Sequence, residues 1–129
     1  MTIEQLDKIE WLNRPYHANN KANSLLAVKE QNKKLKDIAS GGSMEKAEGI
    51  IKLIESNENK IDEYVDSVVA MRTEVSQAIE AVNDDDCEAV LNNHYLGYLT
   101  WEKTAEVMHY AVRTIKDKHK KALDKITIR

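Results

Sequence analysis

The feature that most constrains this chain is a spacing. Ala47, Ile51, Ile54, Glu58, Ile61, Val65, Val68, Arg72, Val75, Ile79 and Val82 follow one another alternately four and three residues apart, a heptad seam sustained for five repeats. A run of that period predicts one long helix over residues 44–82. Ile50, Tyr64, Met71 and Ala78 stand beside the seam at multiples of seven, so the apolar stripe is wider than a strict two-position coiled coil and suits packing against more than one helix. The partner is either the preceding helix, folded back at Gly41 and Gly42, or the same helix in another chain. Glu58 and Arg72 interrupt the seam, where polar residues either fix register and partner number or mark an exposed edge.

The rest of the chain agrees with a helical reading. One Pro and four Gly in 129 residues leave little of the turn chemistry that an all-β protein needs, so the expected class is all-α. The length suits about one domain with a modest core and no large enclosed active site. Residues 2–12 make a short amphipathic helix with Ile3, Leu6 and Ile9 on one side, and Pro15 is expected to interrupt it because it cannot donate a helical hydrogen bond. A second helix is expected over 18–39, with Leu25, Val28, Leu35 and Ala39 near one face and Asn32 intruding. "SGGS", residues 40–43, should stop it, and Ser43 can cap the long helix, whose first turn holds Glu45 as the helix dipole prefers. "NDDD", residues 83–86, ends the long helix and can cap the next, in which Val90, Leu91, His94 and Tyr95 recur at helical spacing before Gly97.

Charge is distributed unevenly. Residues 1–99 carry 11 Lys and Arg against 18 Asp and Glu, and residues 100–129 carry 8 against 4, so a chain of net charge −3 ends in a segment of +4. Arg113, Lys116, Lys118, Lys120, Lys121 and Lys125 supply most of it. A basic cluster on one helix is the footprint of a phosphate-backbone partner, with a solvated face as the plainer account. The single Cys87 excludes an intramolecular disulfide, residues 1–20 hold no continuous apolar run of the leader type, and no stretch approaches the roughly 18 apolar residues of a membrane span. A soluble, cytoplasmic protein without membrane contact is the expectation.

The basic segment has a recognisable arrangement: a helix over 100–108, a short turn, and a second helix over about 111–126, as in the helix-turn-helix, where the second helix enters the major groove. Thr100 is placed as an N-cap. Ala105 gives the small side chain needed where two helices cross, and Met108, Val112 and Ile115 are apolar where such a unit has its core. The inward set Val112, Ile115, His119, Ala122 and Ile126 runs three and four apart, leaving Arg113, Lys116, Asp117 and Lys120 outward.

The run "YLGYLTWEKTAEVMHYAVRTIKDKHKKALDKI" resembles region four of bacterial sigma factors, and more closely the phage and prophage transcriptional regulators of the RinA and ArpU type. The residues that carry the likeness are Tyr95, Leu96, Trp101, Glu102, Ala105, Arg113, Thr114, Ile115, His119, Ala122 and Leu123, and it covers roughly residues 88–126. The resemblance implies a division into a helical hairpin or coiled-coil arm over 1–83, for oligomerisation or protein contact, and a sigma-like DNA-binding domain over 84–129. It also implies base-reading positions at Val112, Arg113, Lys116 and Asp117, with Thr114, Lys120 and Lys121 toward phosphates, and double-stranded DNA and RNA polymerase as partners. Asp117 fits this set least well, since a carboxylate in the groove repels phosphate unless it accepts from cytosine or orients a neighbouring Arg. Lys118 departs from the pattern, standing where an aliphatic residue is usual, so the back of the second helix is expected to be less buried or shifted. His109 departs too, at a turn position that often holds Gly or Asp.

Plainer roles account for the remaining candidates. Trp101 is expected in the core, and His94, His109 and His119 have no spacing with Cys87 that suits a metal. The acidic triplet Asp84, Asp85 and Asp86 is explained by capping and the dipole rather than by catalysis. No glycine-rich phosphate loop, nucleophile elbow or H-E-x-x-H pair occurs, so neither an enzyme nor a cofactor is expected. One short reading helix contacts few base pairs, which favours a dimer or docking on polymerase. Two alternatives stand beside the regulator: a small-terminase-like DNA-packaging protein, which would form a ring, and a coiled-coil structural adaptor that binds no DNA.

Overall fold

The computed structural model describes residues 1–41 and 44–128, with the backbone alone for 44–46. Its described residues are mostly helical and hold no strand: α1 (Ile3–Ala39), α2 (Met44–Glu80), α3 (Asp85–Leu91), a π-helical turn (Asn92–Leu96), α4 (Trp101–Met108) and α5 (Val112–Lys125). Among them no helix is long and apolar enough to cross a membrane. The caps assigned to Gly42 and Ser43, and the side chain of Glu45, lie outside the described residues.

Pro15 does not break α1. A proline ring leaves the carbonyl four residues back without its helical donor, and here that carbonyl, on Trp11, accepts instead from Arg14 Nε at 3.1 Å. The Arg14 guanidinium lies over the Trp11 ring at 4.7 Å and reaches Glu74 at 3.3 Å, so the replacement donor is held from several sides. Residues 2–12 and 18–39 are therefore one helix. Its inner face also differs from the expected one: Ile3 and Leu6 are exposed, and Lys8, Leu12 and Pro15 are buried. Lys8 Nζ donates to the Leu123 carbonyl at 2.7 Å, a carbonyl in the last turn of α5 where a cation opposes the negative end of the helix. Gln5 Nε2 adds a bond to Asp124 Oδ1 at 3.0 Å.

Two compact units emerge from the contacts, Met1–His17 with Ala70–Arg129, and Ala18–Val69. This partition cuts through both long helices, whereas the sequence suggested a division between residues 83 and 84. Within Ala18–Val69 the seam residues Ala47, Ile54, Ile61 and Val68 are buried as the heptad spacing requires. Asn32 Nδ2 donates to Asn57 Oδ1 at 2.8 Å, Lys36 pairs with Glu58 at 2.6 Å, and Lys21 lies over the Tyr64 ring at 4.7 Å. From Lys21 over Tyr64 to Lys36 with Glu58 the partners rise in number on α1 and fall on α2, so the two helices run antiparallel here, and the seam is covered from within the chain. The buried line on α1 is Ala18, Ala22 and Asn32, with Leu25 and Ala39 half-buried. Val28 and Leu35, expected on that face, are exposed because the inward positions go to small alanines, an amide and lysine stems.

The other unit holds the larger core. Leu12 of α1, Val75 and Ile79 of α2, Cys87 and Leu91 of α3, Tyr95 of the π-helical turn, and Ala122, Leu123 and Ile126 at the end of α5 pack together. Asp84 starts α3 by accepting from the Cys87 amide at 3.1 Å, as the acidic triplet predicts. Arg72, the seam residue, is at no exposed edge: its Nη1 donates to the Leu96 carbonyl at 3.1 Å and to the Tyr98 hydroxyl at 2.6 Å, tying down the end of the π-helical turn. Gly97 follows there because a side chain would bring its Cβ within 2.8 Å of the Asn93 carbonyl oxygen.

Candidate nucleic-acid interface

Thr100 opens α4, its hydroxyl accepting from the Lys103 amide at 3.1 Å. The helix closes at His109, whose backbone is left-handed at φ 59° and ψ 40°, and the Tyr110 amide returns to the Ala105 carbonyl at 3.0 Å. That closure places glycine-type geometry on an exposed histidine. His109, Tyr110 and Ala111 make the whole connection, and α5 begins at Val112. Ala105 and Ile115 are buried against Val90, with Trp101, Met108 and Val112 packed around them. The small side chain and the apolar positions thus lie where the spacing put them.

The expected contact residues fall on the free side of α5. Arg113, Lys116, Asp117, Lys120 and Lys121 are exposed, whereas Val112 and Thr114 are half-buried at its margins. Arg113, Lys116 and Lys120 are three and four residues apart and therefore share one line along the helix. None of these four cations, Lys121 included, has an ion-pair or hydrogen-bond partner among the described residues. The opposite face is closed: Ile115, His119, Ala122 and Leu123 are buried.

Two lysines of the basic cluster behave differently. Lys118 Nζ meets Asp86 Oδ2 at 2.8 Å and lies over the Tyr110 ring at 4.9 Å, while Tyr110 donates its hydroxyl to the same carboxylate at 3.2 Å. Lys125 Nζ meets Asp84 Oδ2 at 2.8 Å. These bonds hold the Asp86 carboxyl below, and the Asp84 carboxyl well below, the usual carboxylate range, and push both ammonium groups up. At Lys118 an acidic residue on α3 receives the ammonium, and Ile115, His119, Ala122 and Leu123 on the back of α5 stay buried. The acidic triplet consequently does more than cap: Asp84 and Asp86 join α3 to the flank of α5. Neither pairing carries a sequence signal, since the partners are 32 and 41 residues apart.

Beside α5 lies a group of rings. Trp101 is half-buried and stacks on His94 with centroids 3.7 Å apart and planes 11° apart, and His119 is 4.5 Å from the same indole. The Tyr95 hydroxyl and His119 Nε2 share a hydrogen bond of 2.6 Å. His94 donates from Nδ1 to the Leu99 carbonyl at 2.7 Å, which fixes its tautomer when neutral. Burial lowers both histidines, His119 to about 4, and raises the Tyr95 hydroxyl, so the group is uncharged near neutral pH. Comparison of the chain with models of known protein families, with characterised proteins and with solved structures returns no match.

Proposed function

We propose that this chain is a DNA-binding transcriptional regulator of the phage and prophage kind, in which α4, the turn at 109–111 and α5 act as a helix-turn-helix on duplex DNA. The observation that carries this reading is the line of unpartnered cations, Arg113, Lys116 and Lys120 with Lys121 beside it, on a helix whose other face is fully packed. A helix presented in that way offers a rigid positive edge of the width a major groove admits. Arg113 is the candidate for a bidentate contact to guanine, Lys116 and Asp117 for neighbouring bases, and Thr114, Lys120 and Lys121 for phosphates; Val112 meets a thymine methyl. RNA polymerase is the proposed protein partner, and a dimer the proposed state.

The test is selection from a mixed pool of duplexes across a salt series. Lys118 and Lys125 are engaged with Asp86 and Asp84, and Arg113 and Lys116 face bases, so Lys120 and Lys121 remain for phosphate. The expected slope of log affinity against log salt is about −2. The Arg113→Ala, Lys116→Ala pair should abolish sequence-selective recovery while the protein stays folded. Absence of binding at low salt would overturn the reading in favour of an adaptor, and a ring of many subunits by mass would favour DNA packaging.

A further inference from the structure

The rings described above are the floor of a cavity of about 390 Å³. Trp101, His94 and Tyr95 give it flat apolar surface, α1 closes one side with Ile9 and Asn13, and Lys116 and Lys120 stand at its border. That volume falls within the roughly 300–1,000 Å³ of small-molecule sites, which combine apolar walls with a few placed polar groups. Among its lining residues are two lysines and no carboxylate. The polar groups of the floor are already occupied with one another: Tyr95 with His119, and His94 with the Leu99 carbonyl. Beyond the Asn13 side-chain amide, the polar groups at this cavity left without a partner among the described residues are the two lysines, one helical turn apart and on the same face.

From this we infer that the cavity is a binding site for a small planar aromatic anion, its ring laid against the Trp101 and His94 side and its anionic group taken by Lys116 and Lys120. An aromatic ring gains offset or edge contacts from such walls, and one anionic group between two ammonium groups supplies the charge that the site lacks. A cationic ligand is disfavoured by both lysines, and an apolar one leaves the border unused. Because the same two lysines belong to the proposed DNA face, an occupied cavity competes with duplex; this last step alone rests on the DNA-binding reading.

The experiment is titration calorimetry of the full chain with indole-3-carboxylate, and with indole as its neutral twin. The carboxylate should bind saturably and at least about threefold more tightly than indole, the gain expected of two exposed charge contacts. The exposed Lys116→Gln, Lys120→Gln pair should bring the carboxylate to the affinity of indole, and Lys60→Gln, remote in sequence and outside the cavity lining, should leave it unchanged. Trp101→Leu should weaken both ligands; should that variant unfold, chemical-shift changes at the Trp101 indole N–H in the unaltered chain give the same information. Equal affinity for the two ligands, no saturable binding, or binding indifferent to the lysine changes would overturn the site. In a parallel arm, indole-3-carboxylate should release bound duplex; a site that binds the carboxylate in a chain that binds no DNA sinks the DNA reading and leaves this one standing.

Discussion

At the scale of single residues, His119 is the most exacting position. It is buried, bonded to Tyr95 and pressed against Trp101, and its pKa is lowered to about 4 by burial first and by His94 second. The unfolded chain takes up a proton near 6.5, so between 6.5 and about 4 the unfolded state binds more protons than the folded one. Stability is then present above the unfolded value and lost as the pH falls through that window, by at most about 3 kcal/mol for His119 alone. His94, lowered for the same reason, adds loss of the same sign. Urea unfolding at steps from pH 7 to 4 should show this decline, and His119→Gln should flatten it. His109 is the opposite case. It is exposed and holds φ 59° with no bonded side chain, so His109→Gly should raise stability by about 1 kcal/mol, measured as a higher denaturation midpoint. The distinction between these histidines was partly legible in the sequence. His119 falls on the apolar spacing of α5 and His109 does not, but nothing in the sequence announces the ring stack that makes the first one costly to protonate.

At the scale of elements, a period was legible and a substitution of partners was not. The seam from Ala47 to Val82 predicts α2 because every turn repeats the same demand, and a local exception such as Glu58 or Arg72 cannot erase it. Pro15 argues for a break by a local rule, and the rule fails because Arg14 supplies the donor that the ring removes, a bond set by one rotamer and its neighbours. Lys8 carries no signal for the same reason: a lysine between Asp7 and Ile9 looks solvated until the end of α5, 115 residues away, is brought to it. The joint between α3 and α5 makes a prediction at this scale. Asp84 both caps α3 and pairs with Lys125, whereas Asp85 is exposed and serves the first turn only through the dipole. Asp84→Ala should lower the denaturation midpoint clearly more than Asp85→Ala, and the difference should narrow on adding Lys125→Ala to both backgrounds. Equal effects would mean that the cap and the pair contribute nothing beyond local charge.

At the scale of the whole molecule, the proposed self-association has a physical candidate in the unit Ala18–Val69. Leu35 and Ile38 on α1 and Ile50 and Leu53 on α2 are exposed, Ile38 and Leu53 each at 74 %. Single exposed apolar residues are ordinary, but large ones recurring on two paired helices suit a further helical surface. Sedimentation of the full chain should give a mass that rises with concentration toward a dimer, and Ile38→Lys with Leu53→Lys should hold it at the monomer without lowering the denaturation midpoint. A monomer at every concentration would leave the proposed DNA contact to α5 of one chain or to a partner protein.

With Lys118 and Lys125 anchored to Asp86 and Asp84, the circumference of α5 is electrically lopsided. A polyanion rolling around that helix meets cations along one meridian and neutralised pairs along the next. Attraction of this kind is vectorial: it selects the angle at which a partner arrives before any base or functional group is compared, and partners that match only the total charge are engaged in a single orientation or let go.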